Sequence, residues 1–303
     1  MASQGGRKYL DPKTLTKISR LDIRARLVVE GFVTGLHRSP YHGFSVEFAE
    51  HREYVPGDDI KHIDWKVYAR SDRYYIKQYE EETNLTATIL LDGSESMKYQ
   101  SDPSLPSKLD YACTVAASLL YLILRQRDAV GLVTFDEEIR KFIPPASSPS
   151  HRNLMLNALE NVTPNERTSL GPVLHTMADR VKRKGLVILI SDLLDDPEKV
   201  ISGLRHFRHR RHEVIVFHVL DHAERTFPFN SMTRFEGLEQ LGHVICDPGA
   251  LRSAYLEELE SFMGEIQHGC RTDRIDYCPL DTSQPLDVAL TSYLATRSGM
   301  KLS

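Results

Sequence analysis

The chain has 303 residues, 41% of them hydrophobic and 26% charged, with a formal net charge of −4. These proportions exclude a disordered chain and fit one large globular domain, alone or with a smaller companion. The slight acidity gives no electrostatic footprint for nucleic acid or for an anionic membrane surface.

Taken in chain order, apolar residues recur at helical spacing over Lys13–Ile18 and Leu21–Thr34. Val46–Tyr54, Ile60–Ala69 and Tyr74–Tyr79 then read as short strands, with Pro56-Gly57-Asp58-Asp59 and Ser71-Asp72 as turns between them. This predicts a small β-rich lobe over residues 1–82. The pattern changes near Glu82, and residues 83–303 alternate strands with helices. Predicted strands are Leu85–Leu91, Ala129–Phe135, Ile139–Ile143, Leu186–Ser191, Val214–Leu220, His243–Cys246 and Arg274–Pro279. Predicted helices are Leu109–Arg127, Leu154–Asn161, Leu170–Arg183, Pro197–Arg208, Leu251–Ile266 and Leu286–Thr296. Buried β-branched runs separated by helices give an α/β fold: a mostly parallel sheet with helices on both faces. In such a sheet, ligands bind outside the carboxyl ends of the strands.

Four cysteines, Cys113, Cys246, Cys270 and Cys278, form no C-x-x-C pair and no zinc spacing, which fits a reducing compartment. Residues 1–10 are polar, and the longest apolar run, Val115–Leu124, falls short of the roughly 20 residues that span a bilayer. The expectation is a cytoplasmic protein without direct membrane insertion.

The first buried strand runs into Leu91-Asp92-Gly93-Ser94-Glu95-Ser96, so Asp92, Ser94 and Ser96 form D-x-S-x-S just past a strand end. Carboxylate and hydroxyl oxygens suit a hard cation such as Mg²⁺, which takes about six oxygen ligands and keeps some as water. Two later residues fit the same site. Thr168 lies in a polar stretch before a predicted helix, and Asp192 follows the strand Leu186–Ser191. The plainer reading makes Asp92 and Asp192 turn formers and Ser94, Ser96 and Thr168 helix caps.

Together, Asp92-x-Ser94-x-Ser96, Thr168 and Asp192 resemble the metal-ion-dependent adhesion site of von Willebrand factor A-like (vWA-like) domains. The amino-terminal part adds Arg38-Ser39-Pro40, Glu47-Phe48, Arg52-Glu53-Tyr54-x-Pro56-Gly57-Asp58-Asp59-Ile60, Ile63-Asp64-Trp65-Lys66 and Ala69-Arg70. These resemble the signature of the MoxR-associated vWA-like family, catalogued as domain of unknown function number fifty-eight. The resemblance implies Mg²⁺, or Mn²⁺ or Ca²⁺, held by Asp92, Ser94, Ser96, Thr168 and Asp192, some directly and some through water. It also implies a MoxR-type AAA+ ATPase as partner. Many members carry a Gly-Gly pair before the threonine, where this chain has Glu166-Arg167.

An ion held largely by neutral hydroxyls keeps surplus positive charge and an open position, which suits a partner's Asp or Glu carboxylate. The expected function is therefore a non-enzymatic, metal-dependent protein-binding adaptor. Two alternatives stand beside it. A metal-dependent phosphoester hydrolase would use Asp92 and Asp192 with Glu95 as base. An RNA- or membrane-linked scaffold would use the basic run His206–His212, whose plainer reading is a cationic helix end. Arg52–Arg70 reads as a docking face or as an ion-pair network anchored by Trp65. No G-x-x-x-x-G-K-[ST] loop and no G-x-S-x-G elbow is present.

Overall fold

The computed structural model describes residues 21, 23–26, 28–29, 51–53, 67–68, 73–77, 85–164, 169–238 and 242–291. The chain divides into two compact units, Leu36–Asn84 and the combination of Met1–Gly35 with Leu85–Ser303. In the smaller unit, β1 (His51–Glu53) and β2 (Tyr75–Lys77) pair antiparallel. Tyr68 stacks on Tyr74 with ring centroids 4.5 Å apart. Residues 67 and 68, expected in a strand, are helical. Their β-branched and aromatic side chains favour a strand only where a neighbouring strand is there to pack them. The Pro56–Asp59 turn and Trp65 lie outside the described residues.

The larger unit is built on a six-stranded sheet of order β10-β7-β6-β3-β4-β5. Its strands are β3 (Thr86–Asp92), β4 (Ala129–Phe135), β5 (Ile139–Ala146), β6 (Leu186–Ser191), β7 (Glu213–Leu220) and β10 (Asp276–Asp281). All pairs are parallel except β4 with β5, where β5 is an antiparallel edge. The inner strands are continuous apolar runs because both faces of the sheet are covered. Leu90, Val133, Phe135, Val187, Leu189, Val214 and Val216 face a core completed by three helices. These are α3 (Leu170–Arg180), α4 (Pro197–His209) and α6 (Pro248–Thr272). The two-residue period of a strand turns Ile89, Leu91, Ile188 and Ile190 to the opposite face, where α1 (Lys108–Arg125) crosses β3, β4, β6 and β7. Residues helical within 21–29 join this unit, and Arg24 donates to Asp110 of α1 at 2.6 Å.

Capping fixes where the helices begin. Ser107, Asp196 and Asp247 accept from backbone N–H groups at the starts of α1, α4 and α6. Helix α2 (Pro149–Glu160) starts five residues before the expected Leu154, because Ser148 caps it and Pro149 takes the first position. The strand His243–Cys246, β9, lies outside the main sheet and pairs antiparallel with an unforeseen β8 (Thr233–Glu236). Helix α6 runs to Thr272, past the expected Ile266, since Ile266 and Cys270 are both buried in the core. Of the predicted terminal helix, residues 286–291 are described; Leu286 lies in a turn and residues 287–291 are helical.

The sheet order locates the site. From β3 the chain moves to β4 and β5 on one side, then crosses to β6 on the other. The connections therefore diverge between β3 and β6, and the crevice expected in an open α/β sheet opens at the carboxyl ends of these two strands.

Candidate metal centre

Parallel register brings the two acidic strand ends together. Leu91 pairs with Ile190, so Asp92 falls beside Ser191, and Asp192 follows one residue later. Ser191 Oγ donates to Asp92 Oδ2 at 2.5 Å and accepts from Leu193 N at 2.9 Å. That second bond helps hold Leu193 in the left-handed region at φ 55°, fully buried. A non-glycine residue there costs about 1–2 kcal/mol, so the turn is fixed by its surroundings and not by its own preference.

After β3 the loop folds back on itself. Gly93 N donates to Phe135 O of β4 at 2.7 Å, a close approach that a side chain would crowd against Val162. Ser94 N donates to Asp92 Oδ1 at 2.9 Å. The hydroxyl oxygens of Ser94 and Ser96 lie 3.0 Å apart, within hydrogen-bond distance, and Ser96 helps hold the Asp192 carboxyl in its charged form. Asp92, Ser94 and Asp192 are fully buried and Ser96 nearly so. Four of the five residues singled out by the sequence thus meet at one point. Thr168, with Glu166 and Arg167, lies outside the described residues; nearby, Leu170 N donates to Asp195 Oδ2 of the β6–α4 loop at 2.8 Å.

Sequence reasoning missed a cation in this cluster. Lys108, the first residue of α1, is fully buried and donates to Asp192 Oδ2 at 2.8 Å and to Glu224 Oε1 at 2.7 Å. Glu224 lies in α5 (His222–Thr226), and its other oxygen accepts from Asp221 N at 2.8 Å in a capping box. Asp221 in turn accepts from Ser101 Oγ at 2.5 Å and from Ser101 N at 3.1 Å. The loops after β3, β6 and β7 are therefore tied together through side chains. Two signals were visible in the sequence. Asp221-x-x-Glu224 has the spacing of a helix start, and a lysine opening an apolar helix runs against the helix dipole.

Electrostatics separate the two acids. Burial, then the Asp192 charge, pushes Asp92 up from 3.8 to about 7. Burial also acts on Asp192, but Lys108 and the hydrogen bonds outweigh it and hold that carboxyl below its usual range. Burial opposes the charge on Lys108 too, and Asp192 and Glu224 overcome it, keeping the ammonium charged. For Asp92 the sign of the linkage follows directly. The folded chain keeps this proton up to about pH 7, whereas the unfolded chain releases it near 3.8. Stability from Asp92 is therefore present at low pH and lost as pH rises across that window. In chelator, the wild type should lose stability relative to Asp92→Asn over this range, as read by urea unfolding at several pH values. A pH-independent difference would contradict the assignment.

The donor set fits a hard divalent ion. Among the described residues no three His, Cys, Asp or Glu side chains cluster as metal ligands, so hydroxyls would have to supply part of any shell here. The Ser94 and Ser96 hydroxyls, side by side at 3.0 Å, would offer neutral oxygens of the kind a hard dication accepts. A dication would also relieve the repulsion between Asp92 and Asp192. Asp92, Ser94 and Ser96 would hold the ion, with Asp192 beside them. It would supply a Lewis-acidic position for a ligand oxygen.

The alternatives find other employment for their residues. Glu95, the candidate base, accepts from Lys98 at 3.2 Å. In the basic run, Arg208 bonds the Asp273 carbonyl, Arg210 bonds Asp179, and His212 meets Val181 O at 3.1 Å. Among the described residues no helix is long and apolar enough to cross a membrane.

A mostly parallel sheet with one antiparallel edge strand, helices on both faces and an acid–serine loop at its switch point define a vWA-like α/β protein. The chain belongs to the family described as Protein of unknown function DUF58, whose pattern matches residues 50–261. Uncharacterized proteins of Mycobacterium tuberculosis and Mycobacterium bovis are 25% identical over 221 residues, covering 72% of this chain and 68% of theirs. Among solved structures, BatB from Bacteroides thetaiotaomicron is similar at 17% identity and a TM-score of 0.49, over 72% of this chain and 100% of BatB. The VWA domain of SpRpn10 is similar at 11% identity and a TM-score of 0.42, over 68% of this chain and 93% of that domain.

Proposed function

We propose that this protein is a non-enzymatic adaptor that binds a partner through a divalent cation, Mg²⁺ or alternatively Mn²⁺ or Ca²⁺, at the carboxyl edge of its sheet. The observation that carries this reading is the convergence of Asp92, Ser94, Ser96 and Asp192 at the switch point, with both hydroxyls poised beside a buried acid pair. An ion there would carry positive charge beyond what the hydroxyls neutralise, and a partner's Asp or Glu carboxylate would complete its shell. The ion would serve recognition and not turnover, since the candidate base Glu95 is paired with Lys98.

The partner in this reading is a MoxR-type AAA+ ATPase, acting with the chain in assembly or remodelling of another complex in the cytoplasm. Its support is the resemblance of the Arg52–Arg70 segment and its neighbours to the MoxR-associated signature. The test is retention of a purified MoxR-type ATPase on the immobilised full chain. Retention should occur in Mg²⁺ and be lost both in EDTA and with Asp92→Ala. Retention that survives chelator and substitution alike would refute the metal-dependent mechanism.

A further inference from the structure

We infer that Lys108 is a resident counter-cation of the metal centre, a positioning residue that weakens the site's own hold on the ion and so leaves room for an outside carboxylate. This rests on the metal-binding reading above and deepens it.

Helix stability does not explain this lysine. A cation at the first position of a helix faces the positive end of the dipole, and burying an ammonium is costly unless carboxylates meet it. Here both costs are accepted, and the Nζ atom is placed on Asp192 Oδ2 at 2.8 Å, with Glu224 Oε1 on its other side at 2.7 Å. Asp192 is one of the two acids that face the serine hydroxyls, and its Oδ1 already accepts from Leu194 N at 3.3 Å. The ammonium therefore offsets charge on the Asp192 oxygen it touches, with Glu224 on its far side, so that of the two acids facing the hydroxyls Asp92 is the one without a cation partner among the described residues. Glu224 is tied to this cluster through the ammonium and through the backbone of Asp221. An ion bound beside a single uncompensated carboxylate keeps net positive charge. The preferred occupant of its open position is then an anion, and among protein groups a carboxylate. Without Lys108, Asp92 and Asp192 would neutralise the ion between them, and the demand for an external carboxylate would fall.

This predicts an effect of unusual sign: removing a buried, doubly bonded side chain should improve ligand binding. Titration calorimetry with Mg²⁺ alone, on the full chain, compares the wild type with Lys108→Met, Lys108→Arg and the double variant Lys108→Met/Glu224→Gln. The double variant also removes the carboxylate left unpaired on the outer side, so it keeps the test open if the single Met variant does not fold. Mg²⁺ should bind at least about tenfold more tightly to Lys108→Met, as loss of a like charge a few ångströms from a dication requires, and more tightly by a smaller factor to the double variant, which also loses the more distant Glu224 charge. Lys108→Arg, which keeps the charge, should stay near the wild type. Added acetate should tighten Mg²⁺ binding to the wild type more than to the Met variants. A merely structural tether predicts the opposite sign, and Mg²⁺ affinity unchanged or weakened in folded Met variants overturns the inference while leaving the metal site standing. Saturable binding in the Met variants but not in the wild type supports the counter-cation and refutes an ion in the chain on its own. No binding by any variant overturns both.

Discussion

Asp192→Ala is expected to lower the stability of the metal-free protein by about 3 kcal/mol or more, the cost of leaving a buried ion-pair partner without its mate. Asp192 Oδ2 is a direct acceptor for Lys108, and its Oδ1 accepts from Leu194 N. Truncation leaves the ammonium on Glu224 alone, at the half of the cluster nearer solvent. One effect works the other way, since removing Asp192 relieves the charge that helps push Asp92 up. That relief is set against the larger cost of a buried ammonium that has lost its fully buried partner. Urea unfolding in chelator measures the change. The double variant Asp192→Ala/Lys108→Met should lose less than the sum of the single losses, since the two residues share one interaction. Strict additivity would show that the contact contributes little.

The sheet was legible in the sequence to a degree that follows from its burial. Ala129–Phe135 and Leu186–Ser191 were bounded to the residue because a strand covered on both faces is an unbroken apolar run with polar residues at its ends. What the sequence does not carry is the order of the strands. Pairing β6 with β3 is a contact between segments nearly a hundred residues apart, and no local pattern specifies it. The same limit explains the site. Asp92, Ser94 and Ser96 are neighbours in sequence and announce themselves by spacing, and Asp192 announces itself by ending a strand. Lys108 shows locally only as a lysine set against the helix dipole, because its importance lies in contacts with Asp192 and Glu224, which are 84 and 116 residues away. Ser191 was read only as the last residue of a strand, yet it links Asp92 to the Leu193 turn. The short hairpin strand β8 and helix α5 were missed for a different reason: at four and five residues they are shorter than the window over which periodicity becomes visible.

The largest expected effect on function is complete loss of cation binding in Asp92→Ala. Asp92 is the strand-end acid on which the rest of the centre is organised, accepting from Ser94 N and from Ser191 Oγ. It is also the acid without a lysine partner, so once an ion displaces its proton it contributes, among the described residues, the uncompensated negative charge facing the Ser94 and Ser96 hydroxyls. Neutral hydroxyls alone do not hold a hydrated dication against water. Asp192, whose charge is shared with Lys108, cannot replace it. The Ser94→Ala and Ser96→Ala variants remove neutral donors and should weaken binding without abolishing it, which ranks the residues by their charge.

Calorimetric titration of Mg²⁺ into the purified full chain, alongside Asp92→Ala, tests the metal centre most directly. The account predicts saturable one-site binding by the wild type and no saturable heat from the variant. Equal heats from the two proteins would place any bound ion elsewhere and contradict it.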